Sequence, residues 1–356
     1  MMTEVTIEGT RFLLNGEPTY AGKTYRGRSI EGRLFNARLI QAIFDDENPE
    51  TRPQWAYPDT GIWDPDRNTA EFCAALPEYK RHGLLAFTVG LQGGGSIYAP
   101  EVYDHFVNSA FGPDGTFKPA YFDRLLKVLQ AADALGMVVI VNYFYFKQVE
   151  RIPDEGVVKD ITARVTEWLL RTGYRNILID TANEAGRLYP APLFQEDRVH
   201  ELIEVVQGVS VDGRRVPVGV STLGGEHICE GRWRELEDFH MPHGNGCKPE
   251  QLREKLQRLK ATPEYQAKPR PILINEDSPH LDNFEAALAE DCSWGFYQQG
   301  YGSEYGESRA DWKTKGRERR FEDLSGFQTV PVNWGINTPS KRAFFDRLAE
   351  VTSGDH

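Results

Sequence analysis

Two textures alternate along most of the chain. Short, nearly continuous apolar runs occur at Leu84–Leu91, Met137–Phe144, Asn176–Thr181, Val216–Ser221, Asp238–Met241, Pro271–Asn275 and Cys292–Tyr297, and Thr19–Gly22 at the front makes eight. Between most of them lie amphipathic stretches of helical period: Ala120–Leu135, Ile161–Leu170, Leu202–Val209, Pro249–Leu259, Phe284–Ala289 and Arg342–Val351. Apolar runs without polar alternation are expected of parallel strands covered on both faces. Repeated strand–helix alternation predicts one α/β domain, a single (β/α)8 TIM barrel, with an open doubly wound sheet as the second possibility. Ahead of it, Val5–Glu8 and Arg11–Leu14, ending at Asn15-Gly16, read as a short hairpin. Residues 1–18 are thus read as a β-hairpin packed on the barrel and 19–356 as the barrel itself.

Three strand-to-helix connections are long: Tyr25–Asn68, Gly93–Lys118 and Gln298–Asn337. On a barrel such βα loops wall the site at the C-terminal strand ends. Dinucleotide and P-loop chemistry are excluded. Gly93-Gly94-Gly95 lacks the spacing of a dinucleotide turn, and the phosphate-binding Gly-x4-Gly-Lys pattern is absent.

Charge narrows the partners. The 356 residues carry 41 basic against 53 acidic side chains, a net charge of −12, so no basic field exists for nucleic acid. Abundant aromatics (7 Trp, 15 Tyr, 19 Phe) exclude wholesale disorder. No run approaches 18 apolar residues, which predicts no membrane span, and the start Met1–Ile7 has no basic or apolar leader segment, so a cytoplasmic location is expected. Cys73, Cys229, Cys247 and Cys292 are scattered, and buried free thiols are expected of them instead of disulfides or a zinc site. His240 and His243 flank Pro242, which disfavours a helical ligand pair, and no His-x-His marks the first strand, so no metal and no organic cofactor are expected.

Chemistry concentrates at two strand ends. Asn176–Ala182 runs into Asn183-Glu184, and Pro271–Ile274 runs into Asn275-Glu276. By strand count these carboxylates end strands four and seven, whose tips converge on a barrel. Two carboxylates in one cleft are what glycosidic-bond cleavage requires, one protonated and one ionised.

On these marks the sequence, from about Thr19 to Val351, resembles the clan A glycoside hydrolases, retaining (β/α)8 enzymes that include the family 5 cellulases and mannanases. The resemblance implies Glu184 as acid/base, Glu276 as nucleophile and Asn183 as ligand of the sugar 2-hydroxyl. It also implies that His240 on strand six lies near the nucleophile and that Trp294 on strand eight is a platform for the sugar, with Tyr297 beside the substrate. Core packing is the competing reading of His240 and Trp294. The chain departs from family 5 in lacking the usual Arg near the early strands and the His ending strand three. Gln92 and Asn142 are the expected substitutes as hydroxyl ligands.

The implied reaction is double displacement on a neutral β-linked oligosaccharide, polysaccharide or glycoside, with Glu184 titrating high and Glu276 ionised. A barrel that binds carbohydrate without turning it over is the alternative. Asp45-Asp46-Glu47-Asn48 is read as a solvated turn and Lys313–Arg320 as a solvated basic face. Trp55, Tyr57, Trp63, Tyr98, Tyr301, Tyr305, Trp312 and Trp334 in the long loops are read as packing residues before sugar platforms.

Overall fold

A computed structural model describes residues 2–94, 105–300, 320–324 and 326–354. Parallel strands run in ring order: Asn36–Arg38, Ala86–Gly90, Val138–Phe144, Ile177–Ala182, then Val218–Gly219 continuing at Ser221–Thr222, then Met241–Pro242. Parallel bridges His240↔Ile272 and Leu273↔Ser293 bring in the seventh and eighth positions. Gly295–Phe296 then pairs in parallel with Asn36–Arg38 and closes the ring. This is the expected (β/α)8 barrel. Its closure needs Gly295, where a Cβ would stand 2.4 Å from Asn36 Oδ1 and 2.7 Å from the Ile274 carbonyl oxygen.

One strand assignment fails. The first barrel strand is Asn36–Arg38 and not Thr19–Gly22, whose residues belong to turns ahead of the barrel. The reason is physical: Asn36 and Arg38 point inward and break the apolar run that marks the other strands. The N-terminal hairpin gains a third short strand, Glu17–Pro18. The helix Pro65–Arg81 was not evident from periodicity. Its apolar stripe is thin (Phe72, Leu76, Tyr79) and Pro77 interrupts it, but Asp64 caps it by accepting from the backbone N–H of Asp66 and Arg67. Six further helices fall where the periodicity puts them, at Pro119–Ala134, Glu155–Arg171, His200–Gly208, Pro249–Lys260, Leu281–Ala289 and Pro339–Ser353, while the short helices Trp233–Leu236 and Pro263–Ala267 span too few residues to show one.

Side chains alternate between the barrel lumen and the strand–helix interface. The lower lumen is apolar: Leu34, Ala86, Val138, Ile140, Leu178, Met241 and Leu273 pack together, and Val5 and Phe12 of the hairpin plug them from below. Phe12 has no exposure, and burying such a ring stabilises by about 2 kcal/mol. The larger outer cluster fills the space between strands and helices. Among the described residues no helix is long and apolar enough to cross a membrane.

Candidate active site

Above the apolar floor the lumen turns polar. Asn36, Arg38, Asn142, Asp180, Ser221, His243, Asn275 and Glu276 are all buried there. Glu184 follows the fourth strand and Glu276 the seventh, and the barrel brings both to this layer. One oxygen of each carboxylate and one nitrogen of His243 lie within 4.8 Å of one another.

Each acid is held differently. Glu276 is 5% exposed; Arg38 Nε stands 2.8 Å from its Oε2, and Asn245 Nδ2 donates to its Oε1 at 2.9 Å. His243 Nδ1 lies 3.1 Å from Glu184 Oε1 and 3.6 Å from Glu276 Oε2. The backbone N–H of Gly224 also approaches Glu184 Oε1, at 3.4 Å. Glu184 itself adopts φ 52°, a left-handed conformation that a non-glycine residue holds only when its surroundings enforce it. Part of that enforcement is visible. The Glu184 N–H donates to Ser221 Oγ at 3.2 Å, and Ser221 is locked by Asp180, which accepts from its backbone N–H at 2.9 Å and its hydroxyl at 2.8 Å.

The electrostatics reverse the expected order of titration. Burial pushes the Glu276 carboxyl up, and the charges of Arg38 and His243 do not bring it back to the ordinary range. Burial also acts on Glu184, but the hydrogen bond and charge of His243, with Arg38 behind, outweigh it and hold this carboxyl below its usual value. Burial likewise raises Asp180 at the floor of the layer. The two cations differ in kind, because a guanidinium stays charged while an imidazole can lose its proton.

The sequence-expected residues divide by strand parity. Asn183 is buried beside Glu184, and its Oδ1 has no hydrogen-bond partner among the described residues. Asn142 points into the polar layer, donating to Asp180 Oδ2 at 3.0 Å, with its Oδ1 likewise unmatched. Tyr297 enters the lumen, its ring 5.8 Å from the Arg38 guanidinium carbon. His240 does not reach the carboxylates. It faces outward, with Nδ1 against Glu237 and its ring 5.6 Å from that of Tyr265. Three residues on, His243 has the inward parity and occupies the place expected of it.

Trp294 also faces outward. It stacks on Phe284 at 5.1 Å and donates from Nε1 to Asp277 Oδ2 at 3.0 Å; with no exposure it is a core residue and no sugar platform. Gln92 is consumed by the scaffold, donating to Ser109 Oγ at 3.0 Å and accepting from the Tyr145 N–H at 3.1 Å.

Two residues of the candidate site, Arg38 and Asn245, carry no signal in the sequence reading, and His243 enters it only as a metal ligand. Arg38 stands on the first strand, Asn36–Arg38, outside the segment Thr19–Gly22 that the sequence pattern suggests for it. Counting by twos from an apolar inward residue such as Met241 would have found His243.

The loop residues mostly pack. Asp46 is buried and accepts from Trp55 Nε1 at 2.7 Å, from Thr51 Oγ1 at 2.6 Å and from the Val107 N–H at 2.8 Å. The acidic patch is therefore a structural knot at Asp46 and not the solvated turn expected. Trp55, Tyr57, Trp63 and Trp334 are buried. Tyr98, Tyr301, Tyr305, Trp312 and Lys313–Arg319 lie outside the described residues.

Glu184, His243 and Glu276 also have the spacing of a metal triad, but Arg38 against Glu276 already supplies a permanent positive charge where an ion would sit. A cleft of about 530 Å³ at the opposite end of the barrel, lined by Val5, Arg175, Arg214 and Arg215 among others, is remote from the carboxylates. Arg175 and Arg215 there are paired with Glu4 and Asp238.

The fold defines a class of protein, the parallel (β/α)8 barrels, and comparison with solved structures agrees. The chain is similar to the endo-1,4-beta-mannanase from Rhizomucor miehei, with a TM-score of 0.57 at 11% identity, covering 98% of this chain and 99% of that one. A GH5-4 broad specificity endoglucanase from Clostridium longisporum gives a TM-score of 0.55 at 10% identity, over 90% of this chain and 96% of the other. A structure from Bacteroides vulgatus gives 0.53 at 13% identity, and the chain spans only 60% of its length. At such identities the likeness establishes the shared fold. No protein-family model matches the chain, and no curated protein matches it by sequence.

Proposed function

We propose that the protein is a retaining glycoside hydrolase acting on a β-glycosidic bond in a neutral oligosaccharide, polysaccharide or glycoside. The observation that carries this reading is the closeness of Glu184 and Glu276, with carboxylate oxygens within 4.8 Å. Retaining enzymes keep their two carboxyl groups about 5–5.5 Å apart, while inverting ones separate them by roughly 6.5–9.5 Å to admit a water. The similar structures named as a mannanase and an endoglucanase support a carbohydrate substrate.

In the proposed reaction the ionised Glu276 attacks the anomeric carbon as Glu184 gives its proton to the departing glycosidic oxygen. A water that loses its proton to Glu184 then displaces Glu276 and releases the sugar. Arg38 and Asn245 orient the Glu276 oxygens and support its charge. Like charges at this range disfavour each other, so ionisation of Glu276 favours a proton on Glu184. Asn183 and Asn142 each offer a buried Oδ1 as a ligand for sugar hydroxyls, and Tyr297 stands beside Arg38, which holds the attacking carboxylate. Residues 1–18 serve as the plug of the barrel and 19–356 as its catalytic body.

The test is a screen of aryl glycosides and β-linked oligosaccharides, followed by NMR of the first-formed product. Retention of the anomer is expected. An inverted product would remove Glu276 as nucleophile. Sugar binding without any turnover would instead favour a binding protein on the same barrel.

A further inference from the structure

A second group of ligating side chains meets on the same face of the barrel. Glu196 comes from the loop after strand four, and His227 and Cys229 come from the loop after strand five. One Glu196 oxygen, one His227 nitrogen and Cys229 Sγ all lie within 4.8 Å of one another. We propose that these three residues bind a thiolate-preferring divalent cation, zinc above all, and that the ion ties the two loops together.

The cluster has the features of a built site. Glu196 Oε1 lies 3.0 Å from His227 Nε2, while Oε2 accepts from the Glu230 N–H at 2.8 Å. That second contact turns Oε1 toward the histidine, as partners behind a metal ligand commonly do. Cys229 is buried, and its carbonyl accepts from the Arg234 guanidinium, so the sulfur is anchored at the inner end. His227 is at the outer end, with its side chain 58% exposed, and is free to close on an ion with a water completing the fourth position. Tetrahedral zinc with Zn–S near 2.3 Å and Zn–N near 2.0–2.1 Å needs ligands about 3.3–3.7 Å apart, a contraction of roughly 1 Å from the widest spacing here. The close chain path is also specific: a Cβ at Gly231 would meet the Glu196 carbonyl oxygen at 2.3 Å.

Donor chemistry selects the ion. A thiolate favours zinc or cobalt over calcium or magnesium. Carboxylate and thiolate together carry two negative charges, matching the cation. On binding, the Cys229 proton leaves to solvent and His227 ligates through a neutral nitrogen, so acid releases the metal. The tied loop also carries Gly224, whose N–H faces Glu184. All four cysteines are free thiols as expected, Cys229, Cys247 and Cys292 buried and Cys73 half-buried; the proposal gives one of them a ligand.

Titration of the full chain, stripped with EDTA, with cobalt(II) chloride tests the proposal independently of glycosidase activity. One equivalent is expected to bind with a thiolate-to-cobalt charge-transfer absorption, to be displaced by zinc. Cys229→Ser should abolish the band, and His227→Ala, at an exposed position, should weaken binding by at least about tenfold. Cys73→Ser should leave both unchanged. Absence of the band, its survival in Cys229→Ser, or unweakened binding in His227→Ala would each overturn the proposal. So would cobalt held without sulfur at Glu184, His243 and Glu276.

Discussion

The same strands build two unlike regions. On strand three, Val138 and Ile140 join the apolar floor of the lumen, and Asn142, two residues further, enters the polar layer. On strand four, Leu178 is below and Asp180 above. The floor is what folding alone would select, apolar and plugged by Val5 and Phe12. The upper layer buries Arg38 and Glu276 and leaves Arg38 Nη1 and Nη2, Asn142 Oδ1, Asn183 Oδ1 and His243 Nε2 without hydrogen-bond partners among the described residues. Buried polar groups ordinarily have partners. A concentration of unmatched ones at one end of the barrel is the mark of a surface shaped for a polar ligand, held in place by the apolar end.

The largest test of this contrast is Glu276→Gln. It removes the proposed nucleophile with almost no change in shape, so turnover should fall by at least about 10³-fold while the unfolding midpoint stays close to that of the parent. Glu184→Gln should also cut turnover, but less for aryl glycosides whose leaving group needs no proton. Steady-state kinetics on the two variants, with circular dichroism on the same samples, decides the matter; full activity in Glu276→Gln would end the proposed mechanism.

Leu178→Ala addresses the other region. Leu178 is fully buried in the floor, and truncation should destabilise the fold by about 3 kcal/mol in urea unfolding. Its kcat/KM, per folded molecule, should stay within about twofold of the parent, because distant and independent sites leave each other's energetics alone. A large catalytic loss in a still-folded protein would mean that floor and site are not separable.

How legible each region was in the sequence follows from the same chemistry. The strands with apolar floors and apolar outer faces, such as Val138–Phe144 and Ile177–Ala182, announce themselves as continuous runs, and the two glutamates were found because such runs end in them. Asn36–Arg38 was missed because two of its three residues serve the polar layer, so function erased the pattern that periodicity reads. His240 and Trp294 were misassigned for another reason. A strand reverses facing at every residue, so placing a residue on the right strand leaves its face undecided, and a slip of one position exchanges core for site. Asn245 lies beyond its strand, where no periodicity operates.

His243→Asn probes the electrostatics of the upper layer. The imidazole charge lowers both Glu184 and Glu276, so removing it raises both. The acid limb of kcat/KM, governed by ionisation of the nucleophile, and the alkaline limb, governed by deprotonation of the acid, should therefore both move to higher pH. Arg38 and Asp180 remain as the other charged groups near the pair. A pH–rate profile over both limbs is the measurement; limbs that stay at their positions in the parent would assign the lowering of these carboxyls to Arg38 alone.

The smallest expected effect separates the outward from the inward face. Trp294→Phe keeps an aromatic ring against Phe284 and loses the hydrogen bond to Asp277, leaving a buried carboxyl with Ser278 and Asn283 as its remaining side-chain partners. Loss of one such bond costs about 1–2 kcal/mol of stability. Because Asp277 is raised to about 6 by burial, it is largely ionised above neutrality and largely protonated near pH 5. The Trp294 N–H supports the ionised form, so the cost of Trp294→Phe should be greater at pH 8 than at pH 5, read from urea unfolding at the two values. KM for any glycoside should not change. A residue stacked on the sugar would behave in the opposite way, raising KM on substitution with no pH-dependent loss of stability, and that outcome would return Trp294 from the core to the cleft.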